Sequence, residues 1–162
     1  MSKILAIIPV LSKYPKETIE SLLSQTIKPS KIVVAAGSQS VCKDCSVHGV
    51  ECYFIEPDLT KHVEIRVAKA INFALQFTNV NDYDYILKVD DDVSLPPNFI
   101  ELSLKLDADC VGGSGCAQMF KISTFMALFK GRFPEVVSDD TYCEFMIIAC
   151  GKKYAKWPIE RI

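Results

Sequence analysis

The chain has 162 residues, of which 49% are hydrophobic and 23% are charged, a composition typical of one globular domain with a single core. It excludes a disordered chain, a collagen and a disulfide-rich miniprotein. Eighteen basic and twenty acidic residues give a formal net charge of -2, so no global positive charge attracts nucleic acid. We therefore expect one compact domain over 1–162 and no nucleic-acid partner.

No apolar run reaches the roughly 18 residues that a membrane-spanning helix needs. The N-terminal run from Ile4 to Leu11 is too short for such a helix or for a signal peptide, and it contains Pro9. We therefore expect a cytoplasmic protein. Peripheral attachment to a membrane surface, through the lysines near Trp157, stays an open alternative.

Apolar periodicity separates strands from helices over the first hundred residues. Buried strands are predicted at 3–10, 31–36, 51–55 and 84–89, and helices at 16–26, 61–78 and 97–106. Later segments predict a strand at 108–112, a further apolar stretch at 117–122 and a helix at 139–149. Strands that alternate with helices indicate an α/β fold with a mostly parallel central sheet flanked by helices. Ligands of such sheets bind outside the carboxyl ends of the strands.

A group of cysteines near residue 45 allows three interpretations. Cys42, Cys45, His48 and Cys52 are ligand types that zinc takes, although they lack the paired spacing of a zinc knuckle. A disulfide from Cys42 to Cys45 or Cys52 is the second interpretation, and reduced loop cysteines are the third. The sequence leaves all three open.

Three consecutive carboxylates, Asp90, Asp91 and Asp92, follow the strand at 84–89. Their mutual repulsion is relieved if a cation binds, and oxygen ligands suit Mg²⁺ or Mn²⁺. On an extended chain Asp90 and Asp92 would point to one side and Asp91 to the other. A solvated acidic turn is the structural alternative.

The helix at 61–78 carries a polar stripe opposite its apolar face. The stripe consists of His62, Arg66, Lys69, Asn72 and Gln76. A diphosphate between Arg66, Lys69 and a metal on Asp92 would be neutralised from both sides. A simple solvated helix face is the alternative.

A second acidic group, Ser138-Asp139-Asp140, opens the helix at 139–149. Ser138 and Asp139 are both good residues for capping the N-terminus of a helix. Asp140 is then free to project from the first turn, and it is a candidate general base.

These signals occur in the order found in family 2 glycosyltransferases of the GT-A fold, which the chain resembles over about 3–154. The resembling segments are Ile7 to Pro9 in the first strand, Lys31 to Ser38 in the second strand and its glycine turn, Arg66 to Leu75 in the diphosphate-lining helix, Asp90 to Asp92 at the DXD motif, and Ser138 to Asp140 at the acidic pair.

The resemblance implies inverting, metal-dependent transfer of a sugar from a nucleotide-diphosphate donor to an acceptor hydroxyl. It implies that Asp92, with Asp90 assisting, holds Mn²⁺ or Mg²⁺ and that Asp140 is the general base. Donor-binding residues implied in the same way are Pro9, Val10, Gly37, Arg66, Lys69, Asn72, Asp90 and Asp91. We expect 1–92 to form the nucleotide-binding half and 93–162 a reduced acceptor half, completed by a large or membrane-associated acceptor or by a second copy of the chain.

The chain departs from the family pattern at two places, and two other functions stay open. Ala35-Ala36 stand where the family commonly has acidic residues that recognise the nucleobase, so the donor base is undefined. The Gln-x-x-Arg-Trp motif of processive members is absent. One alternative is a binding module without catalysis. Another is a nucleotidyltransferase, which is less favoured because the segment from Val10 to Pro15 has no glycine for a phosphate loop.

Overall fold

A computed structural model describes residues 1–113 and 115–157. Its seven strands are β1 Ile4–Val10, β2 Lys31–Ala36, β3 Glu51–Phe54, β4 Tyr85–Val89, β5 Cys110–Gly113, β6 Ala117–Lys121 and β7 Tyr154–Lys156. Its α-helices are α1 Lys16–Leu23, α2 Gln39–Val47, α3 Val63–Leu75, α4 Phe99–Lys105, α5 Ile122–Phe129 and α6 Asp139–Ala149.

The strands form one sheet in the order β3-β2-β1-β4-β6-β5-β7. Only β6 runs antiparallel to its neighbours, whereas the other described strands share one direction. The predicted α/β fold with a mostly parallel sheet flanked by helices is therefore confirmed.

Helices cover both faces of the sheet, which explains why the central strands are apolar without interruption. Along β1, Ile4, Ala6 and Ile8 enter the core beneath α1, α2 and α4, whereas Leu5 and Ile7 enter the core beneath α3, α5 and α6. All seven residues of β1 are buried. Because helices cover both faces, these strands can meet solvent only near their ends, and one of these is the carboxyl edge of the sheet.

Three elements were missing from the sequence prediction. Helix α2 buries few apolar side chains, mainly Val41 and Cys45, so its periodicity is weak. Helix α5 is apolar on nearly all sides and begins at Ile122, directly after β6, so the pattern at 117–122 gave no break between them. Strand β7 has three residues and shows no usable period.

The structure selects one of the three interpretations of the cysteines. Cys42 of α2 and Cys52 of β3 form a disulfide, while Cys45 is a free, buried thiol. The His48 ring stacks on Tyr14, with 5.0 Å between the ring centroids. A zinc site built from these four residues is therefore wrong.

The helices of the described residues can be compared with the requirements of a membrane span. In 1–113 and 115–157, no helix combines the length and apolar character that a membrane span requires.

Candidate functional site

A cleft lies at the carboxyl edge of the sheet, next to the ends of β1, β2 and β4. It has two adjoining parts, which share Pro9, Val63, Val67 and Asp91. We name them the apolar pocket, of about 340 Å³, and the acidic pocket, of about 360 Å³. This is the edge at which the fold class predicts a ligand site.

The apolar pocket brings together most of the predicted donor-binding residues. Its lining includes Pro9, Val10, Gly37, Arg66, Lys69 and Asp91. Gly37 allows a close approach, because a Cβ atom there would lie only 3.0 Å from the carbonyl oxygen of Leu11. The ends of β1 and β2 can therefore approach each other closely and form the floor of this pocket.

Two cations on α3, Arg66 and Lys69, line the apolar pocket beside Asp91. They are three residues apart and so lie on one face of the helix. Neither forms an ion pair with any residue in the described part of the chain. The Nε atom of Arg66 is buried and has no hydrogen-bond partner among these residues. This arrangement is suited to an anionic ligand.

The Asn72 side chain, unlike those of Arg66 and Lys69, is hydrogen-bonded to other described residues, and the residue is only 6% exposed. Its Nδ2 donates to the carbonyl oxygen of Phe133 at 2.9 Å, and its Oδ1 accepts from the Phe133 amide at 2.8 Å. Asn72 therefore secures the segment between α5 and α6 and does not line the cleft. The predicted contact of Asn72 with the donor would require this amide group to release the Phe133 backbone.

The acidic pocket holds six carboxylates and one ammonium group. The carboxylates belong to Glu64, Asp90, Asp91, Asp92, Asp139 and Asp140, and the ammonium belongs to Lys88. The excess of negative oxygen ligands fits a hard divalent cation such as Mg²⁺ or Mn²⁺.

The predicted alternation within the carboxylate triplet is wrong, because β4 ends at Val89. The chain then turns, and the amide of Val93 donates to the carbonyl oxygen of Asp90 at 3.3 Å. Extended geometry does not apply inside this turn, so all three aspartates of the triplet line the acidic pocket.

The Asp91 carboxyl group is perturbed by its surroundings in the acidic pocket. Partial desolvation, and then the charge of Asp92, raise the pKa of the Asp91 carboxyl group. Its charged form is therefore less favourable than in water, and a bound cation would relieve the repulsion.

A buried pair connects the end of β4 to the start of α6. Nζ of Lys88 donates to Oδ2 of Asp139 at 2.8 Å, and both side chains are 6% exposed. Burial lowers the pKa of Lys88, but the charges of Asp139 and then Asp90 outweigh it, so the pKa is raised. Asp139 therefore does not cap α6 as predicted. Lys88 was missed in the sequence because a lysine inside an apolar strand pattern gives no signal of its partner.

Ser138 also departs from the predicted capping role. It has a left-handed backbone with φ 57°, and its side chain makes no capping hydrogen bond. Its amide instead donates to Oε2 of Glu64 on α3 at 2.6 Å. Glu64 was not predicted as a site residue, because α3 shows it only as an acid in a first turn.

Ligand atoms of Glu64, Asp139 and Asp140 lie within 4.8 Å of one another. No other group of three His, Cys, Asp or Glu side chains is this close in 1–113 and 115–157. The predicted metal ligands Asp90 and Asp92 are therefore in the same pocket but outside this group.

Asp140, the predicted general base, lines the acidic pocket and also a smaller side pocket of about 280 Å³. Nε2 of the buried Gln118 donates to the Asp140 carbonyl oxygen at 3.1 Å. Gly115 has φ +78°, and a Cβ atom there would lie 2.2 Å from Oδ2 of Asp140. The lack of a side chain at 115 is therefore what leaves room for this carboxylate.

No family model and no curated protein sequence matches the chain. Solved structures do match. CMP:2-keto-3-deoxy-manno-octonic acid synthetase complexed with CTP has a TM-score of 0.66 and 8% identity, covering 98% of this chain and 90% of that one. 4-Diphosphocytidyl-2C-methyl-D-erythritol synthase from Anaerococcus prevotii has a TM-score of 0.65 and 12% identity, covering 99% and 92%. S. aureus TarS has a TM-score of 0.64 and 15% identity, covering 98% and 36%.

The chain therefore shares its fold with these two synthases and with a domain-sized part of TarS. Similarity at these identities establishes the fold and leaves the reaction to be argued from the site.

Proposed function

We propose that the protein is a metal-dependent glycosyltransferase that moves a sugar from a nucleotide-diphosphate donor to an acceptor hydroxyl with inversion. The observation that carries this proposal is the arrangement of Arg66 and Lys69, which form no ion pair among the described residues, beside the carboxylates of the acidic pocket. A diphosphate between the two would be neutralised by the cationic face of α3 on one side and by a carboxylate-bound cation on the other.

In the proposed complex, the nucleobase occupies the apolar pocket next to Pro9, Val10 and Gly37. Asp92 and Asp90 hold Mn²⁺ or Mg²⁺, which when bound stabilises the negative charge of the departing diphosphate. Two carboxylates plus substrate phosphates are a usual set of ligands for Mg²⁺.

The Asp140 carboxylate is proposed as the general base. It accepts the proton of the acceptor hydroxyl while that oxygen bonds to the anomeric carbon and the diphosphate leaves with the electron pair of the broken bond. Such general-base assistance typically contributes about 10² to 10⁴-fold to the rate. The position of Asp140 at the junction of the acidic and side pockets supports this role, because it leaves one side for the donor and the other for an acceptor.

Nucleotidyl transfer is a second candidate function, favoured by size. The chain covers 90% of the CMP-forming synthetase and 92% of the erythritol synthase, but only 36% of TarS. Against it, the segment between β1 and α1, residues 11–15, has no glycine that would bring its backbone close to a triphosphate.

Two assays separate these functions by the product released. With UDP-, GDP-, CDP- and dTDP-sugars and MnCl₂, a glycosyltransferase releases nucleoside diphosphate. With CTP or UTP and a sugar phosphate or sugar acid, a nucleotidyltransferase releases pyrophosphate. We expect diphosphate release, and pyrophosphate release alone would overturn the first proposal.

Binding is tested separately by thermal shift with the four nucleoside diphosphates and MnCl₂. A ligand that binds only the folded state at 100 times its Kd stabilises that state by about 2.7 kcal/mol. We expect Asp92→Asn to abolish the manganese-dependent part of the shift and Asp140→Asn to preserve it while losing turnover. The matched control is Asp107→Asn, because Asp107 is 82% exposed and pairs with Lys121 outside the cleft. No shift with any nucleotide would refute donor binding.

A further inference from the structure

The first turn of α6 is held in place by the sheet. Its preceding residue, Ser138, makes no side-chain cap, so the usual device that fixes the start of a helix is missing. In its place, two neighbouring strands contact the first two helical residues: Lys88 of β4 contacts Asp139, and Gln118 of β6 contacts Asp140.

Lys88 and Gln118 are directly opposite each other in the antiparallel β4–β6 ladder. Side chains of such a pair project from the same face of the sheet. Lys88 is 5% exposed and Gln118 is 2% exposed. Nζ of Lys88 lies 2.8 Å from Oδ2 of Asp139, and Nε2 of Gln118 lies 3.1 Å from the carbonyl oxygen of Asp140. The helix start is therefore held at two consecutive residues.

We infer that Lys88 and Gln118 are positioning residues, which act through Asp139 and the Asp140 backbone to aim the Asp140 carboxylate into the cleft. The inference rests on the proposed role of Asp140 as general base. The Lys88 side chain is 6% exposed and its ammonium group donates to Asp139, which is the contact through which it would orient the start of α6. Gly115 leaves the space that this carboxylate occupies, because a Cβ atom at 115 would lie 2.2 Å from Oδ2 of Asp140.

Stability alone does not account for this arrangement. A buried ion pair can often be replaced by apolar residues of similar volume without loss of stability, because desolvation offsets the attraction between the charges. A misplacement of a catalytic group by about 1 Å can lower turnover by about 10²-fold. An apolar pair could replace the packing of Lys88 and Asp139 but not the hydrogen bond that fixes the Asp139 side chain.

The test uses the double variant Lys88→Met/Asp139→Leu, which removes both charges of the buried pair together. Gln118→Met removes the second contact separately. The matched control is Lys121→Gln/Asp107→Asn, which removes an ion pair of the same 2.8 Å length from an exposed position. All variants are compared with wild type by thermal unfolding, by calorimetric titration with UDP, GDP, CDP and dTDP in MnCl₂, by turnover and by crystal structure.

We expect the double variant to fold, to keep the Kd of the nucleotide that wild type binds, and to lose about 10²-fold in kcat. Its crystal structure should show the Asp140 carboxylate moved by about 1 Å relative to Gly115. Gln118→Met should also lower kcat, by about tenfold or more, because it removes the other of the two contacts. The exposed control should match wild type in every measurement.

A folded double variant with an unmoved Asp140, or with kcat within threefold of wild type, would overturn the inference. If wild type releases neither diphosphate nor pyrophosphate, the proposed function fails, and the crystal structures still decide whether Lys88 and Gln118 position Asp140. The two failures are thereby distinguishable.

Discussion

Thr18 on α1 donates a hydrogen bond from Oγ1 to the carbonyl oxygen of Asp91 at 3.0 Å, across 73 positions of sequence. Thr18 is 1% exposed. Two nearby residues continue the contact: Ser21 on the same helix accepts from the Leu95 amide, and Gln25, just beyond the end of the helix, donates to the Pro96 carbonyl oxygen. Helix α1 therefore holds the backbone that carries the carboxylate triplet.

Replacement of Thr18 by valine keeps the shape of the side chain and removes this hydrogen bond. The carbonyl of Asp91 then loses a donor in a partly buried position, which costs about 1–3 kcal/mol of unfolding free energy. Because groups that orient metal ligands typically contribute about 10–100-fold to metal affinity, we expect a weakening of this order for Mn²⁺. Titration with MnCl₂ measures it.

Thr124→Val is the matched control for Thr18→Val. Thr124 is also buried, at 2% exposure, and its Oγ1 donates to Asp109 at 2.7 Å, away from the cleft. We expect a stability loss of the same order and an unchanged Mn²⁺ affinity. Equal metal affinities in the two variants would show that α1 does not order the triplet.

Alanine at Gly115 should disturb the candidate base directly. Gly115 has φ +78°, and its new Cβ would meet Oδ2 of Asp140 at 2.2 Å, so the carboxylate must move. The left-handed backbone costs about 1–2 kcal/mol for any side chain. A displacement of about 1 Å lowers kcat by about 10²-fold, which a turnover assay at saturating donor measures.

Gly151→Ala isolates the backbone component of that effect. Gly151 has φ +70°, but no described atom lies within 4 Å of its added Cβ. We expect the same loss of stability as in Gly115→Ala and no change in kcat. If both variants lose turnover equally, the effect at 115 is global destabilisation and not contact with Asp140.

The sequence predicted the parts of the site that follow from local pattern. A carboxylate triplet after an apolar strand and cations on one helix face are readable from spacing alone, and Asp90, Arg66 and Lys69 do line the cleft. The contacts that hold the site are long-range. Thr18 and Lys88 look like ordinary residues of a helix and a strand, and only the packing of α1 and α6 on the sheet gives each its partner.

Asn72 shows that a correct local pattern does not determine which contacts a side chain makes. It does lie on α3, three residues beyond Lys69, and the helical wheel groups the two. The segment containing Phe133 packs against that turn and takes both atoms of the amide group. A wheel indicates which residues share a face, but it does not indicate where along the helix another segment covers that face.

Alkaline pH should destabilise the fold through the buried thiol of Cys143. Burial, and then the charge of Asp139, raise the pKa of Cys143 from 9.0 to about 12. Between these values the unfolded chain releases the thiol proton while the native state keeps it. The unfolded state then binds fewer protons, so the free energy of unfolding falls as pH rises, by up to about 1.4 kcal/mol per unit for this group.

Urea unfolding at several values from pH 8 to 11 measures this slope. We expect a shallower slope in Cys143→Ala than in wild type, in addition to a constant loss of stability from the cavity that alanine leaves. Cys150→Ala is the control on the same helix, because Cys150 is exposed. A Cys143→Ala slope equal to that of wild type would contradict the assignment.

Reduction of the disulfide between Cys42 and Cys52 should lower stability without unfolding the protein. The bond joins α2 to the edge strand β3 over a sequence separation of 10. In the chain-entropy account, a loop of this size contributes about 2–3 kcal/mol by restricting the unfolded state. We expect a phosphine reductant to lower the urea midpoint of wild type accordingly. Cys42→Ser/Cys52→Ser should start at the lower midpoint and not respond to the reductant, because its remaining cysteines are free in the described structure. If the double variant matches oxidised wild type, the crosslink contributes nothing, and packing alone holds β3 against the end of β2.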